Sequence, residues 1–234
     1  MLIYGKNVAE EEFKKNKKIK KCYINNDFSD KKLLSLLQKS NIEIKYMTKF
    51  ELDRLASGNH QGIILDVPDF SYNVLDDLAF DNELIVILDH LEDPHNFGAI
   101  IRTCEAAGVD AIIIPKNRGV SVNSTVYKVS AGALNNIKII MVTNLVNTMN
   151  ELKDKGFWFI GTDLEGDSYE SLDYKGNIGI IIGNEGKGMS HLVRKNADFI
   201  ATIPMKGRIN SLNASVATGI IVFEAARQRF RKMW

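Results

Sequence analysis

Six short, almost uninterrupted apolar runs constrain what this chain can fold into: LIVILD (84–89), AIIIP (111–115), IKIIMV (137–142), FWFIGT (157–162), IGIIIG (178–183) and FIATIP (199–204). A strand that is apolar on both faces, rather than on alternate residues, belongs in a sheet covered on both sides. Helical patterns fall between most of the runs, near 96–107, 123–134, 144–155 and 188–195, and a last one spans 213–229. Strand and helix in alternation predict an α/β domain over 83–234 with a mostly parallel, doubly wound sheet. In such sheets ligands bind beyond the carboxyl ends of the strands.

Residues 1–70 are patterned differently. Segments 6–14 and 29–39 read as amphipathic helices, and KCYIN (21–25), IEIKY (42–46) and IILDV (63–67) as short strands. Gly58-Asn59-His60-Gln61-Gly62 has turn chemistry and leads into the third strand. This predicts a small α/β domain over 1–70. The Asp-rich, aperiodic stretch that follows supplies a linker over 71–82.

No apolar run approaches the ~18 residues of a membrane span, and the first residues lack the apolar core of a signal peptide. Cys22 and Cys104 form no paired or zinc-type spacing, and His60, His90, His95 and His191 show no ligand spacing. The expectation is a cytoplasmic protein with reduced thiols, no metal and no membrane contact. Net charge is only +1, yet KKNKKIKK at 14–21 puts six lysines in eight residues. Such a run is either a solvated face or a phosphate-contacting patch of Lys14, Lys15, Lys17 and Lys18.

Three polar, glycine-bearing segments each follow an apolar strand. Asp93-Pro94-His95-Asn96-Phe97-Gly98 opens a helix with an apolar stripe at Phe97, Ile100, Ile101 and Cys104. Gly98, Arg102 and Glu105 fall on the other face. There Gly98 could admit a ligand close to Arg102, or Arg102 could simply pair with Glu105 in solvent. Gly183-Asn184-Glu185-Gly186-Lys187-Gly188 has neither triphosphate-loop nor dinucleotide spacing, so it is either a tight turn or a set of backbone amides offered to another ligand. The run from Ile203 to Ser215 ends a strand and starts the last helix. Ser211 or Asn213 can cap that helix, which explains one of its polar residues but not all.

Taken together, DPHNFGAIIRTCEAAG, IIIGNEGKGMS and IPMKGRINSLNASVATGIIVFEAARQR resemble the three motifs of the SpoU (TrmH-like) RNA 2′-O-methyltransferases, in order and in register over roughly 84–230. IYGKN near the start and HQG at 60–62 resemble the L30e-like RNA-binding domain of the branch that methylates a guanosine of 23S ribosomal RNA. The resemblance implies a sheet whose C-terminal part is threaded into a trefoil knot, a topology that general chain-threading rules exclude. It implies a homodimer with its active site near the subunit boundary, S-adenosylmethionine as cofactor and a structured RNA as substrate. It places Thr162, Ile182, Gly183, Glu185, Gly186, Ile203, Met205, Ser211, Leu212 and Asn213 at the cofactor, and Asn96, Arg102, Glu185, Ser211 and Asn213 in the catalytic site. Because a guanidinium holds its proton at physiological pH, Arg102 is expected to orient an RNA phosphate and stabilise a developing alkoxide rather than act as the base. Other targets open to the same family are a tRNA ribose or a ribosomal site whose methylation gives antibiotic resistance. A different class of reading is an RNA-binding or ribosome-assembly protein without catalysis.

Overall fold

The computed structural model of the protein describes residues 1–14, 18–56, 58–208 and 211–230. The chain divides into two compact units, one made of Met1–Ser71 with Val122–Gly132, the other of Tyr72–Ser121 with Ala133–Trp234. Among the described residues no helix is long and apolar enough to cross a membrane.

The first unit begins β1 (Leu2–Tyr4), α1 (Lys6–Lys14), β2 (Lys21–Asn25), α2 (Lys31–Lys39), β3 (Glu43–Met47), α3 (Lys49–Leu55) and β4 (Ile63–Asp66). Its sheet has the order β1-β4-β2-β3, with β2 and β3 parallel and β4 antiparallel to both its neighbours. β1 and α3 are additions to the expected elements. β1 has only three residues, too few to show a period, and it is a strand because it pairs with β4 from Leu2↔Asp66 to Tyr4↔Ile64. α3 is short but fully capped. The Thr48 hydroxyl accepts from the Glu51 backbone N–H, and the Thr48 backbone N–H donates to the Glu51 carboxylate at 2.7 Å.

The second unit continues with β5 (Leu84–Leu88), α4 (Pro94–Ala106) and β6 (Ala111–Pro115). The next helix, α5 (Ser124–Val129), packs in the first unit, where Lys128 Nζ donates to the Asn59 carbonyl at 3.1 Å. Then follow β7 (Lys138–Val142), α6 (Leu145–Asp154), β8 (Trp158–Ser168), β9 (Ile178–Ile182), α7 (His191–Asn196), β10 (Phe199–Thr202) and α8 (Ala214–Arg229). All six strands are parallel, in the order β10-β8-β9-β5-β6-β7. Every residue of β5, β6 and β9 is buried, as expected for strands covered on both faces.

β8 is longer than its apolar run suggests because its pairing with β10 jumps. Ile200 opposes Gly161, but the next residue, Ala201, opposes Asp167. Residues 162–166 therefore leave the ladder as an excursion at the carboxyl end of the sheet. The Thr162 hydroxyl donates to the Ile181 carbonyl and the Thr202 hydroxyl to the Leu164 carbonyl, both at 2.9 Å. Gly166 is required on the return, since a Cβ there would lie 2.4 Å from the Ile200 carbonyl oxygen.

Both thiols are sealed in the core. Cys22 on β2 and Cys104 on α4 are fully buried and unpaired by disulfide. Burial pushes the Cys22 thiol up to about 12 and the Cys104 thiol higher still. The native protein should therefore not react with a thiol-specific chromogenic reagent at pH 8, and both groups should titrate once it is unfolded in denaturant. A fast-reacting thiol in the native protein would contradict this packing.

Candidate active site

The carboxyl ends of β8, β9 and β10 open onto a cavity of about 380 Å³. Its volume falls within the ~300–1,000 Å³ of small-molecule sites. The sequence runs that follow the apolar strands make its walls: Thr162 to Leu164, Ile182 to Gly188, Ile203, Met205, Ser211 and Leu212. Ala214, Ala217 and Ile221 of α8 also face it. It thus gathers Thr162, Ile182, Gly183, Glu185, Gly186, Ile203, Met205, Ser211 and Leu212 from the expected set. Asn213 does not line it. Instead it caps α8, its Oδ1 accepting from the Ser215 backbone N–H at 2.9 Å.

Three side chains from three distant segments form one line of hydrogen bonds beside this cavity. Asn213 Nδ2 donates to Asn96 Oδ1 at 2.9 Å, and Asn96 Nδ2 donates to Glu185 Oε1 at 2.7 Å. The Ser215 hydroxyl adds a further donor to Asn213 Oδ1 at 2.6 Å. Asn96 is presented by the first turn of α4, which Asp93 caps by accepting from the His95 and Asn96 backbone N–H groups at 3.1 Å each. A carboxamide is the group this position requires, because it must donate to a carboxylate and accept from an amide simultaneously.

The glycine loop is fixed by residues that sequence spacing did not single out. Asp89, at the end of β5, is almost fully buried and accepts from the Ser190 backbone N–H at 2.6 Å. His90 Nδ1 also lies against the Asp89 carboxylate, and Asn184 Nδ2 donates to the His90 carbonyl at 2.9 Å. His90 takes a left-handed φ of 60° to make this turn. Gly183 has no room for a side chain, since a Cβ would stand 2.3 Å from the Gly188 carbonyl carbon. A carboxylate directly after an apolar run was the available signal for Asp89, but the loop residue it holds, Ser190, is more than a hundred residues away in sequence.

Other expectations fare differently. Arg102 sits on α4 with its side chain exposed, and it makes no hydrogen bond or ion pair among the described residues. Glu105 does not pair with it and accepts from Asn136 Nδ2 at 2.9 Å instead. Gly98 is buried rather than open to a ligand, although Arg102, one turn further along the helix, is exposed. Lys14 is already matched within α1, its ammonium 2.9 Å from Glu10 and 2.8 Å from Glu11, which hold its proton more tightly than in a free lysine. Lys18 is exposed, and Lys15 and Lys17 lie outside the described residues. Among the described residues no group of His, Cys, Asp or Glu side chains is arranged to hold a metal ion.

A parallel α/β sheet with a small-molecule cavity at its strand ends, edged by an amide–carboxylate relay, defines the class: a ligand-binding α/β domain of the doubly wound kind, accompanied by a small α/β unit. Residues 83–223 match the SpoU rRNA methylase family, and residues 2–73 match the RNA 2′-O ribose methyltransferase substrate-binding family. The chain belongs to the SpoU rRNA methylase family. It is 38% identical to YacO of Bacillus subtilis, assigned to the TrmH family of tRNA/rRNA methyltransferases, over 97% of this chain and 95% of that protein. An rRNA methyltransferase of Sinorhizobium meliloti, crystallised with AdoMet bound, superposes with a TM-score of 0.81 at 26% identity, covering 98% of this chain and 87% of that one. The SpoU methyltransferase AviRb of Streptomyces viridochromogenes, also in complex with AdoMet, shares the fold with a TM-score of 0.84 at 24% identity, over 99% and 91% of the two chains.

The relay makes a prediction for stability. Asn96→Asp keeps α4 capped but sets a carboxylate against Glu185 where a donor stood. Two like charges then face each other with no donor between them. The melting temperature of the variant at pH 7 should fall below wild type by the equivalent of about 1 kcal/mol for so exposed a pair. No difference from wild type would show that the relay does not bear on the fold.

Proposed function

We propose that this chain transfers the methyl group of S-adenosylmethionine to a ribose 2′-hydroxyl, and that the acceptor is a guanosine of 23S ribosomal RNA in the cytoplasm. The observation that carries this reading is the Asn213–Asn96–Glu185 relay at the edge of the cavity. The match of residues 2–73 to an RNA substrate-binding family supports a separate RNA-holding unit.

The cavity suits the cofactor in its chemistry. Ile182, Ile203, Met205, Leu212 and Ile221 offer apolar surface for an adenine ring, while Glu185 and Ser211 bring polar atoms to the same space. When bound, S-adenosylmethionine supplies a methyl group already made electrophilic by its sulfonium, so the protein's work falls on the nucleophile. The ribose hydroxyl must be aligned with that methyl and lose its proton. The relay fixes Glu185 and the start of α8, which hold the loop walls in place. Ser211 has an exposed hydroxyl with no partner among the described residues, and it positions the ribose or cofactor. Arg102, likewise without a partner, orients an RNA phosphate that takes the proton and stabilises the developing oxyanion.

The same reading includes the knotted path and the homodimer. β10 lies at the sheet edge, yet α8 packs on α4, and Ile203, Met205, Ser211 and Leu212, from the stretch between them, line the cavity at the carboxyl end of the sheet. This path supports a threaded C-terminus. α8 is apolar on two sides: Ile221, Val222 and Ala225 are buried, while Val216, Phe223 and the C-cap residue Phe230, seven residues apart, are 51%, 40% and 38% exposed. A helix that is apolar on two sides needs cover on both, and a second protomer provides it. Phe223→Glu should shift the protein to monomer in sedimentation at micromolar concentration; an unchanged dimer would move the interface elsewhere.

The decisive test is transfer of labelled methyl from S-adenosylmethionine to separated rRNA and tRNA from cells lacking this protein. Label should enter 23S rRNA and protect the 3′ phosphodiester from alkali, and Arg102→Ala should lower transfer by about 10²–10³-fold. Label confined to tRNA would keep the chemistry and change the substrate. Cofactor binding without any transfer to naked or ribosome-assembled RNA would leave an RNA-binding protein.

A further inference from the structure

One wall of the cavity in the second unit is the excursion at 162–166; another is the glycine loop, which runs directly into α7. An ion pair joins the two. We propose that Arg194 of α7, which does not line the cavity, is a positioning residue that tunes cofactor affinity by holding the excursion in place. The inference rests on reading this cavity as the S-adenosylmethionine site.

The two partners of the pair differ in how firmly their segments are held. α7 is anchored from several sides. Val193 is buried in the core beside Met149, Phe159 and Ile181, and Asn196 Nδ2 donates to Asn150 Oδ1 of α6 at 3.1 Å. The entry to α7 is fixed as well, because the Ser190 backbone N–H donates to the buried Asp89 carboxylate. The excursion has less support. Its ladder with β10 stops at Gly161 and resumes only at Asp167. In between, the Thr162 and Thr202 hydroxyls tie it to the neighbouring strands. Leu164, a cavity residue, is 56% exposed. A segment with few buried contacts and no ladder belongs to the least stable part of a fold.

Arg194 supplies a further tether. Its Nε donates to Asp163 Oδ2 at 2.7 Å, and Asp163 Oδ1 accepts from the Leu164 backbone N–H at 2.7 Å. One carboxylate oxygen is thus held from α7, while the other orients the peptide that presents Leu164 to the cavity. A carboxylate can do both because each oxygen accepts independently. With the guanidinium in place this wall is ordered before a ligand arrives. Without it, binding must order Asp163 and Leu164, and that entropy appears as lost affinity. The side chains of the pair are 46% and 34% exposed, so the effect is a few-fold rather than complete. Removing a positive charge near the cavity also favours a cationic ligand, which opposes the loss for S-adenosylmethionine. S-adenosylhomocysteine, the thioether left after methyl transfer, lacks the sulfonium charge and reports the placement of the wall alone.

The test is calorimetric titration of both compounds into the full chain. Arg194→Met keeps the length and apolar stem of the side chain and removes the guanidinium. It should weaken S-adenosylhomocysteine binding by about threefold, and S-adenosylmethionine binding by less. Introduced into Asp163→Ala, the same substitution should cause no further loss, because Arg194 acts through that carboxylate. Raising salt from about 0.05 to about 1 M should bring wild-type affinity for the thioether down to that of Arg194→Met, which itself should stay level. No loss for the thioether, a change confined to S-adenosylmethionine, or an equal loss with and without Asp163 would overturn the proposal. Wild type that binds neither compound would bring down the cofactor-site reading and this role with it. Binding that is indifferent to all the substitutions would leave the cofactor site standing and remove this role alone.

Discussion

The arrangement of the loops around the cavity of the second unit depends on one carboxamide. Asn96 is held by the capped first turn of α4 and reaches both Glu185, in the loop after β9, and Asn213, at the start of α8. Nearly ninety residues separate Asn96 from Glu185 and more than a hundred separate it from Asn213. Each bond is modest alone in exposed surroundings, but the same two amide ends fix two otherwise independent loops relative to one helix. The walls of the cavity inherit their positions from that arrangement. Asp89 does a parallel task from below, buried at the end of the central strand and bound to the far side of the glycine loop.

Most of the second unit was legible because its strands are buried on both faces, which leaves continuous apolar runs that few other structures need. LIVIL and IGIII became β5 and β9 almost residue for residue. The elements that escaped were those fixed by partners rather than by pattern. β1 is a strand because β4 pairs with it, and α3 is a helix whose seven residues are stabilised at a single cap. The length of β8 was hidden because GTDLEGDS carries no apolar signal; its later residues pair with β10 only after a jump in register.

The site was legible to the extent that chemistry sits at strand ends. The expected cofactor residues converge on one cavity, apart from Asn213, whose side chain serves as cap and relay. Orientation on a helix was harder to read. Gly98 was expected on the open face of α4 and lies inward, since a residue with no side chain can pack on either side of an amphipathic helix. Lys14 shows the limit of charge runs as a signal: two glutamates of its own helix already neutralise it, a fact that appears only when helical spacing is combined with rotamer geometry.

The excursion at residues 162–166 has a consequence for how such a sheet can change over time. The ladder resumes at Asp167 as though nothing had been inserted, with Gly166 marking the seam. Thr162, Asp163 and Leu164 nevertheless form part of the cavity wall. A segment that is outside the hydrogen-bonded framework and inside the binding surface can be lengthened, shortened or rewritten without disturbing the core. It is a natural graft point, at which descendants of one scaffold can diverge in what they accept while the sheet beneath stays the same.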